Sequence, residues 1–209
     1  MADGKTITRL LLQHYPQPKL ALHYRSPLQL LIAVMLSAQC TDQRVNEVTR
    51  ELFRKYKTAA DYAHARLTTF EKDIRSTGFY KNKAKNVINC CKQLVAKHHG
   101  KVPDDIDALT SLPGVGRKTA NMVLGNAFNQ PAIAVDTHVS RVSQRLGLTQ
   151  NRNADKIEQD LMKQIPENKW TDFSNAMILL GRETCTARNP DCCGCTLYKA
   201  CGWQEKPTC

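Results

Sequence analysis

The stretch from residue 28 to 38, LQLLIAVMLSA, constrains the fold more than any other, because at helical spacing it is apolar on nearly every side. A helix of that kind has no face to give to water, so it must be wrapped by other elements and lie in a core. It is far too short to span a bilayer, and Gln29 and Ser37 interrupt it. Ser26 suits its N-cap and Pro27 its first helical position, while Gln39 and Cys40 mark its end.

The segments available to wrap it are also helical. Apolar residues recur at helical spacing in 6–14 (Ile7, Leu10, Leu11), where Pro16 and Pro18 end the pattern, and again at Val45, Val48, Leu52 and Tyr56 behind a cap at Thr41 or Asp42. Short helices are expected over 59–64 and 67–75. A long one after Gly78 places Ala84, Val87, Ile88, Cys91 and Val95 on one face. Pro103 and Asp104 should start a short helix reaching Leu109. Further helices are expected to Ala127 and over 138–146, 154–164 and 171–182, the last burying Phe173, Ala176, Met177 and Leu180. No run alternates apolar and polar residues as a strand would. The fold class read from this pattern is all-α. It divides into a helical bundle over 21–130 and a second helical domain made from 1–20 plus 131–209.

Charge suggests the partner. The 209 residues carry 30 Lys and Arg against 19 Asp and Glu, a net charge of +11, with pI near 9.3. Such a balance points to a polyanion, nucleic acid first and an acidic membrane surface second; a merely solvated basic surface is the plain alternative. Between Lys72 and Lys101 there are eight Lys and Arg against one acid, Asp73. The apolar periodicity there implies a folded helix with its basic residues on the solvent side. The N-terminal MADGKTITRLLLQHY is amphipathic from the start and reads as no signal peptide, which places the protein in the cytoplasm, at the nucleoid.

Residues 111–138, SLPGVGRKTANMVLGNAFNQPAIAVDTH, hold the chemistry-bearing pattern. Leu112-Pro113-Gly114-Val115-Gly116 forms a turn between two helices. Its glycines let an anion approach main-chain N–H groups at the positive end of the next helix. That arrangement grips phosphate without reading sequence, and Arg117 adds a cation. Ordinary helix–helix connections use glycine turns too. Lys118 follows in the first turn. As a neutral amine it could attack a sugar C1′, displace a base and leave an imine whose adjacent C2′ proton is acidified, so that elimination cleaves the strand. Asp136, eighteen residues on, could move protons and stabilise positive charge on the sugar as the base departs. Its plain alternative is a helix N-cap, and the two roles are compatible.

Five of the nine cysteines fall within 185–201. Cys185-x6-Cys192-x2-Cys195-x5-Cys201 places four thiolates where they could enclose one centre, and soft sulfur suits either zinc or an iron–sulfur cluster. Cys193 falls off the spacing and is set aside as a non-ligand. Cys40, Cys90, Cys91 and Cys209 are expected to be core thiols or bystanders.

The segments LIAVMLSAQCTD, LPGVGRKTANMVL and IAVDTH, with the four-cysteine tail, occur in an order that resembles the endonuclease III family. These are helix-hairpin-helix DNA glycosylases with AP lyase activity. The resemblance covers essentially the whole chain. It implies removal of oxidised pyrimidines from duplex DNA, acting as a monomer on damaged-pyrimidine or abasic duplexes, with no membrane partner. Lys118 matches the family's Schiff-base lysine and Asp136 its catalytic aspartate. The cysteine spacing matches the ligands of a 4Fe-4S cluster. Leu112, Gly114, Val115, Gly116 and Arg117 match the DNA-binding hairpin, and Arg188 lies in the cluster loop that contacts phosphates. Gln39 falls where the family inserts a polar side chain into the gap left by a flipped base, and Phe79 where relatives carry an apolar wedge. Asp42, His138 and Arg141 match positions near a DNA-binding cleft between the two domains. The adenine-specific mismatch branch has no lysine at the position of Lys118 and carries a glutamate in the helix that here has no acid, so the bifunctional reaction is the one implied. A non-catalytic DNA-binding module with a redox-sensing cluster is the rival reading.

Overall fold

A computed structural model describes residues 3–209, and every regular element in them is helical. Two compact units result. One holds the chain up to Lys19 together with Gln130–Cys209; the other is Leu20–Asn129.

The second unit is built around α2 (Pro27–Ser37). Ser26 caps it through the Gln29 N–H, Pro27 opens it, and Leu30 to Leu36 are all buried. The helices packed on it are α3 (Asp42–Lys55), α6 (Tyr80–His98) and α8 (Arg117–Ala127). The short helices α4 (Ala59–Ala63) and α5 (Leu67–Asp73) lie against α6, and α7 (Ile106–Thr110) against α8. Tyr56, Tyr62 and Phe70 form an aromatic cluster beneath α4 and α5.

The other unit joins α1 (Gly4–His14) to α9 (Thr137–Leu146), α10 (Ala154–Gln164) and α11 (Trp170–Glu183). Ile7 and Leu11 of α1 share a core with Val139, Val142, Ile157, Leu161, Phe173, Ala176 and Met177. Cys185, Cys195 and Cys201 pack on its edge.

Several local expectations are corrected. Thr41, not Asp42, caps α3, its hydroxyl accepting from the Arg44 N–H; Asp42 is the first helical residue. Asp105 caps α7, so that helix begins after Pro103 and Asp104 rather than at them. The 67–75 helix stops at Asp73 and continues as a 3₁₀ turn, Arg75–Thr77. In α6 the buried face includes Cys90 and Leu94, while Val95 is exposed. Lys83 departs most from expectation. It counted among the solvated bases, yet it is 6% exposed, and its ammonium donates to two carbonyls.

Candidate functional site

The hairpin lies between α7 and α8. Gly114 has φ +77°, and a Cβ there would stand 2.7 Å from the Asn86 Cβ, so backbone conformation and packing against α6 both require glycine. Gly116 differs. It is the N-cap of α8 with φ −92°, and a Cβ there would meet nothing within 4 Å. Nothing inside the protein demands glycine at 116; the open space above it suits a group that comes close to the main chain.

The start of α8 supports the same conclusion. Asp3, Ser26, Thr41, Thr58, Asp105, Asp136 and Asn153 each cap a helix with a side-chain oxygen. No side-chain hydrogen bond caps α8, as is also so of α5, α6 and α11. Its first N–H groups have no acceptor within the helix, and the helix dipole adds positive charge there, the physical makings of a phosphate seat. Leu112 and Val115 are 3% and 6% exposed, so of these two only the main chain could meet a ligand. Arg117 is exposed and Lys118 half-buried in the first turn.

Gln39 and Phe79 lie in the same unit. Both have left-handed backbone, with φ +53° and +48°, and both are exposed, Phe79 to 65%. Non-glycine residues reach that region at a cost of about 1–3 kcal/mol each, which marks both positions for attention. They line one cavity of about 230 Å³ with Met35, Ala38, Asn82, Lys83, Asn86 and Gly114. Phe79 is thus not packed into the core, and Tyr80 beside it is half-buried.

Asp136 and the remaining candidates belong to the other unit. The Asp136 carboxylate accepts from the Val139 N–H at 2.8 Å and caps α9, which fixes the side chain at the helix start in a half-buried position. Arg141 has a visible structural task. Its guanidinium donates to the Gly181 carbonyl (2.7 Å) and the Cys185 carbonyl (3.1 and 3.2 Å), and it lies 3.2 Å from the His138 Nδ1. It ties α9 to the end of α11, and His138 sits at that junction.

Cys185, Cys192, Cys195 and Cys201 line one pocket, about 380 Å³ of empty space with its open mouth included. All four are free thiols, half-buried. Among the described residues no group of His, Cys, Asp or Glu converges as the ligands of one metal ion. The four thiols line one space, and a set of four soft sulfur donors fits an iron–sulfur cluster. Arg145, which no sequence pattern singles out, organises the rim. It donates to the Cys185 Sγ (3.3 Å), the Thr186 carbonyl (2.7 Å) and the Ala187 carbonyl (3.1 Å), and lies 4.2 Å from the centroid of the Trp203 ring. An isolated arginine at helical spacing carries no signal of such a role. Arg188 and Asp191 are exposed on the loop between the first two cysteines.

Cys209 is corrected from bystander to partner: it forms a disulfide with Cys193, and both are exposed. Cys90 and Cys91 are buried, and burial pushes the Cys90 thiol up to about 12, which leaves it inert.

Comparison with known proteins follows this geometry. Residues 32–167 match the model of the HhH-GPD superfamily of base excision DNA repair proteins. The chain is 48% identical to endonuclease III of Synechocystis sp. over 93% of its length and 90% of that protein. It is 45% identical to endonuclease III of Bacillus subtilis over 92% of its length and 88% of that protein. Among solved structures, a trapped covalent endonuclease III–DNA intermediate, an estranged-adenine complex, superposes with a TM-score of 0.92 at 47% identity, covering 97% of each chain. A thermostable thymine-DNA glycosylase gives 0.88 at 25% identity, covering 96% of this chain and 95% of the other.

Proposed function

This chain belongs to the endonuclease III family, within the HhH-GPD superfamily of base excision DNA repair proteins, and from that premise we infer how its own residues carry the reaction. It is a bifunctional DNA glycosylase and AP lyase. The observation that carries the residue assignment is the uncapped start of α8, open above Gly116, with Lys118 in its first turn.

In the proposed sequence, a DNA phosphate docks on the N–H groups at the start of α8, with Arg117 adding charge. The damaged nucleotide leaves the stack, Gln39 takes its place, and Phe79 wedges on the opposing strand side, offsetting part of the unstacking cost. The Lys118 amine attacks C1′ and the C1′–N bond breaks, its electron pair leaving with the base, which takes up a proton. The sugar ring opens to an imine linked to Lys118. Loss of a C2′ proton then expels the 3′ phosphate as the C3′–O bond breaks, and water releases the enzyme. Asp136 accepts and returns protons and stabilises cationic character at C1′. The α9 cap holds its carboxylate in place for that work. Asp42, His138 and Arg141 support the site, Arg141 through the end of α11. We assign the substrate as oxidised pyrimidines and abasic sites in duplex DNA, met by a monomer in the cytoplasm at the nucleoid. Among the described residues no helix is long and apolar enough to cross a membrane.

Cys185, Cys192, Cys195 and Cys201 would hold a 4Fe-4S cluster. When bound, such a group crosslinks residues 185–201 through its iron–sulfur bonds. From α9, Arg145 donates to the Cys185 Sγ and Arg141 to the Cys185 carbonyl, so both would help to orient that first ligand.

The test is borohydride reduction of the protein with a duplex carrying an oxidised pyrimidine, with deaminated and abasic duplexes alongside. Wild type should be trapped on the DNA, and Lys118→Gln should not. Equal trapping by Lys118→Gln would remove the nucleophile assignment. No trapping of wild type on any duplex would favour the non-catalytic module.

A further inference from the structure

Lys83 stands apart from the other bases of α6. Lys81, Lys85, Lys92 and Lys97 are exposed, whereas Lys83 is buried, and burial lowers its affinity for its proton. Burying an ammonium is costly, so a chain that does it must satisfy the charge by direct bonds. Here Nζ donates to the Leu36 carbonyl and to the Thr77 carbonyl, each at 2.7 Å.

Those two carbonyls are informative. Leu36 is in the last turn of α2, where carbonyls have no partner within the helix and the dipole is negative. Three residues later comes Gln39. Thr77 closes the 3₁₀ turn, and two residues later comes Phe79. Each carbonyl therefore sits just before a residue with left-handed backbone, and both residues line the cavity that Lys83 itself lines. Two segments far apart in sequence meet on one ammonium.

We propose that Lys83 is a positioning residue for insertion into DNA: it ties the end of α2 to the turn before α6 and so fixes the spacing at which Gln39 and Phe79 enter the duplex. The inference rests on the reading of Gln39 and Phe79 as the inserting side chains. Without the ammonium, two buried carbonyls lose their shared donor, and each strained loop can relax separately. Two side chains that must enter the stack together then no longer arrive at a set distance. Misplacement of about 1 Å can cost on the order of 10²-fold in rate.

The experiment uses the full protein and a duplex with a tetrahydrofuran abasic analogue opposite 2-aminopurine, whose fluorescence rises when it unstacks. Four proteins are compared: wild type, Lys83→Met, the double variant Gln39→Ala with Phe79→Ala, and the triple variant, each at a temperature where circular dichroism shows it folded. Lys83→Met is expected to lose most of the fluorescence rise while its affinity for undamaged duplex stays within about twofold, since the phosphate seat on α8 is untouched. In the double-variant background the Lys83 change should have no further effect, because a residue that acts through Gln39 and Phe79 has nothing left to act on. A wild-type fluorescence rise from Lys83→Met, with the double variant impaired, overturns the proposal and leaves the inserting residues standing. Effects that simply add in the triple variant also overturn it, since they show a general loss of structure. A wild-type response from the double variant overturns the reading of Gln39 and Phe79 instead. If Lys83→Met does not fold, Lys83→Arg, which keeps the charge but changes its reach, takes its place in the same cycle with the same deciding outcomes.

Discussion

The Asp136 carboxylate accepts a hydrogen bond from the Val139 N–H at 2.8 Å, so the proposed catalytic acid is also the cap of α9. The two roles separate by substitution. Asparagine caps a helix about as well as aspartate but carries no charge, so Asp136→Asn should melt within a degree or two of wild type and bind duplex DNA while losing most turnover. Asp136→Ala should lose turnover and also about 0.5–2 kcal/mol of stability, the usual cost of removing a cap. Thermal melts beside single-turnover cleavage read both; normal turnover by Asp136→Asn would return the residue to a purely structural role.

The two hairpin glycines should respond in opposite ways. Gly114→Ala must adopt φ +77° and press on Asn86, so it should lose about 1–3 kcal/mol of stability. Gly116→Ser enters open space at an N-cap, where serine is favoured, so stability should hold or rise slightly. Its added side chain stands where a phosphate would approach, and affinity for undamaged duplex should drop. If Gly116→Ser binds as wild type, the start of α8 is not the phosphate seat.

The five cysteines of 185–201 should divide four to one. Cys192→Ser should yield colourless protein with little bound iron and sulfide, whereas Cys193→Ser should stay brown. Thiol titration of unfolded holoprotein after cluster removal should find two fewer reactive thiols than cysteines in wild type, and Cys193→Ser should expose Cys209. Colour lost equally in both variants would place Cys193 among the ligands.

Acid should weaken the fold from about pH 4 downward. Asp61 is held below the usual carboxylate range by the Thr58 and Lys57 N–H groups, and Asp160 by the Thr149 hydroxyl and the Asn151 amide. Their unfolded-state pKa values are higher, so on acidification the unfolded chain takes up protons first and stability falls as pH drops through that range. Melting temperatures at pH 5 and pH 3 should differ less in Asp160→Asn than in wild type. An equal acid loss in the variant would remove Asp160 from the account.

Much of the fold was legible because the relevant forces are local. Ser26-Pro27 starts α2 as expected, since a hydroxyl cap and a fixed φ act within one turn, and the apolar run beyond them is buried at every position from Leu30 to Leu36. What escaped depends on partners distant in sequence. Lys83 looks like its exposed neighbours until the end of α2 is placed beside it. Val95 keeps the helical spacing of its face, yet it is exposed, and Leu94 beside it takes the buried position. Cys193 could be set aside as a ligand from spacing, but its pairing with Cys209 depends on the path of the final residues, which carry no periodic signal. Gly114 and Gly116 look alike in sequence and differ in kind, one required by packing and the other left open.

Finally, α1 has a consequence for synthesis. Its apolar face is buried against α10 and α11, and its neighbour Tyr15 bonds Glu183 across 168 residues. At ribosomal rates of about 5–20 residues per second, roughly ten to thirty seconds separate the emergence of α1 from that of its partners. Through that interval Ile7 and Leu11 have no core to join, while the whole of Leu20–Asn129 leaves the ribosome and can close on its own contacts. Helix α1 is among the last to dock, and the cysteines that follow α11 appear later still. Chaperones that shield nascent apolar chain should therefore engage α1 while α10 and α11 are still unmade, and the proposed cluster could be loaded only once Cys201 has emerged.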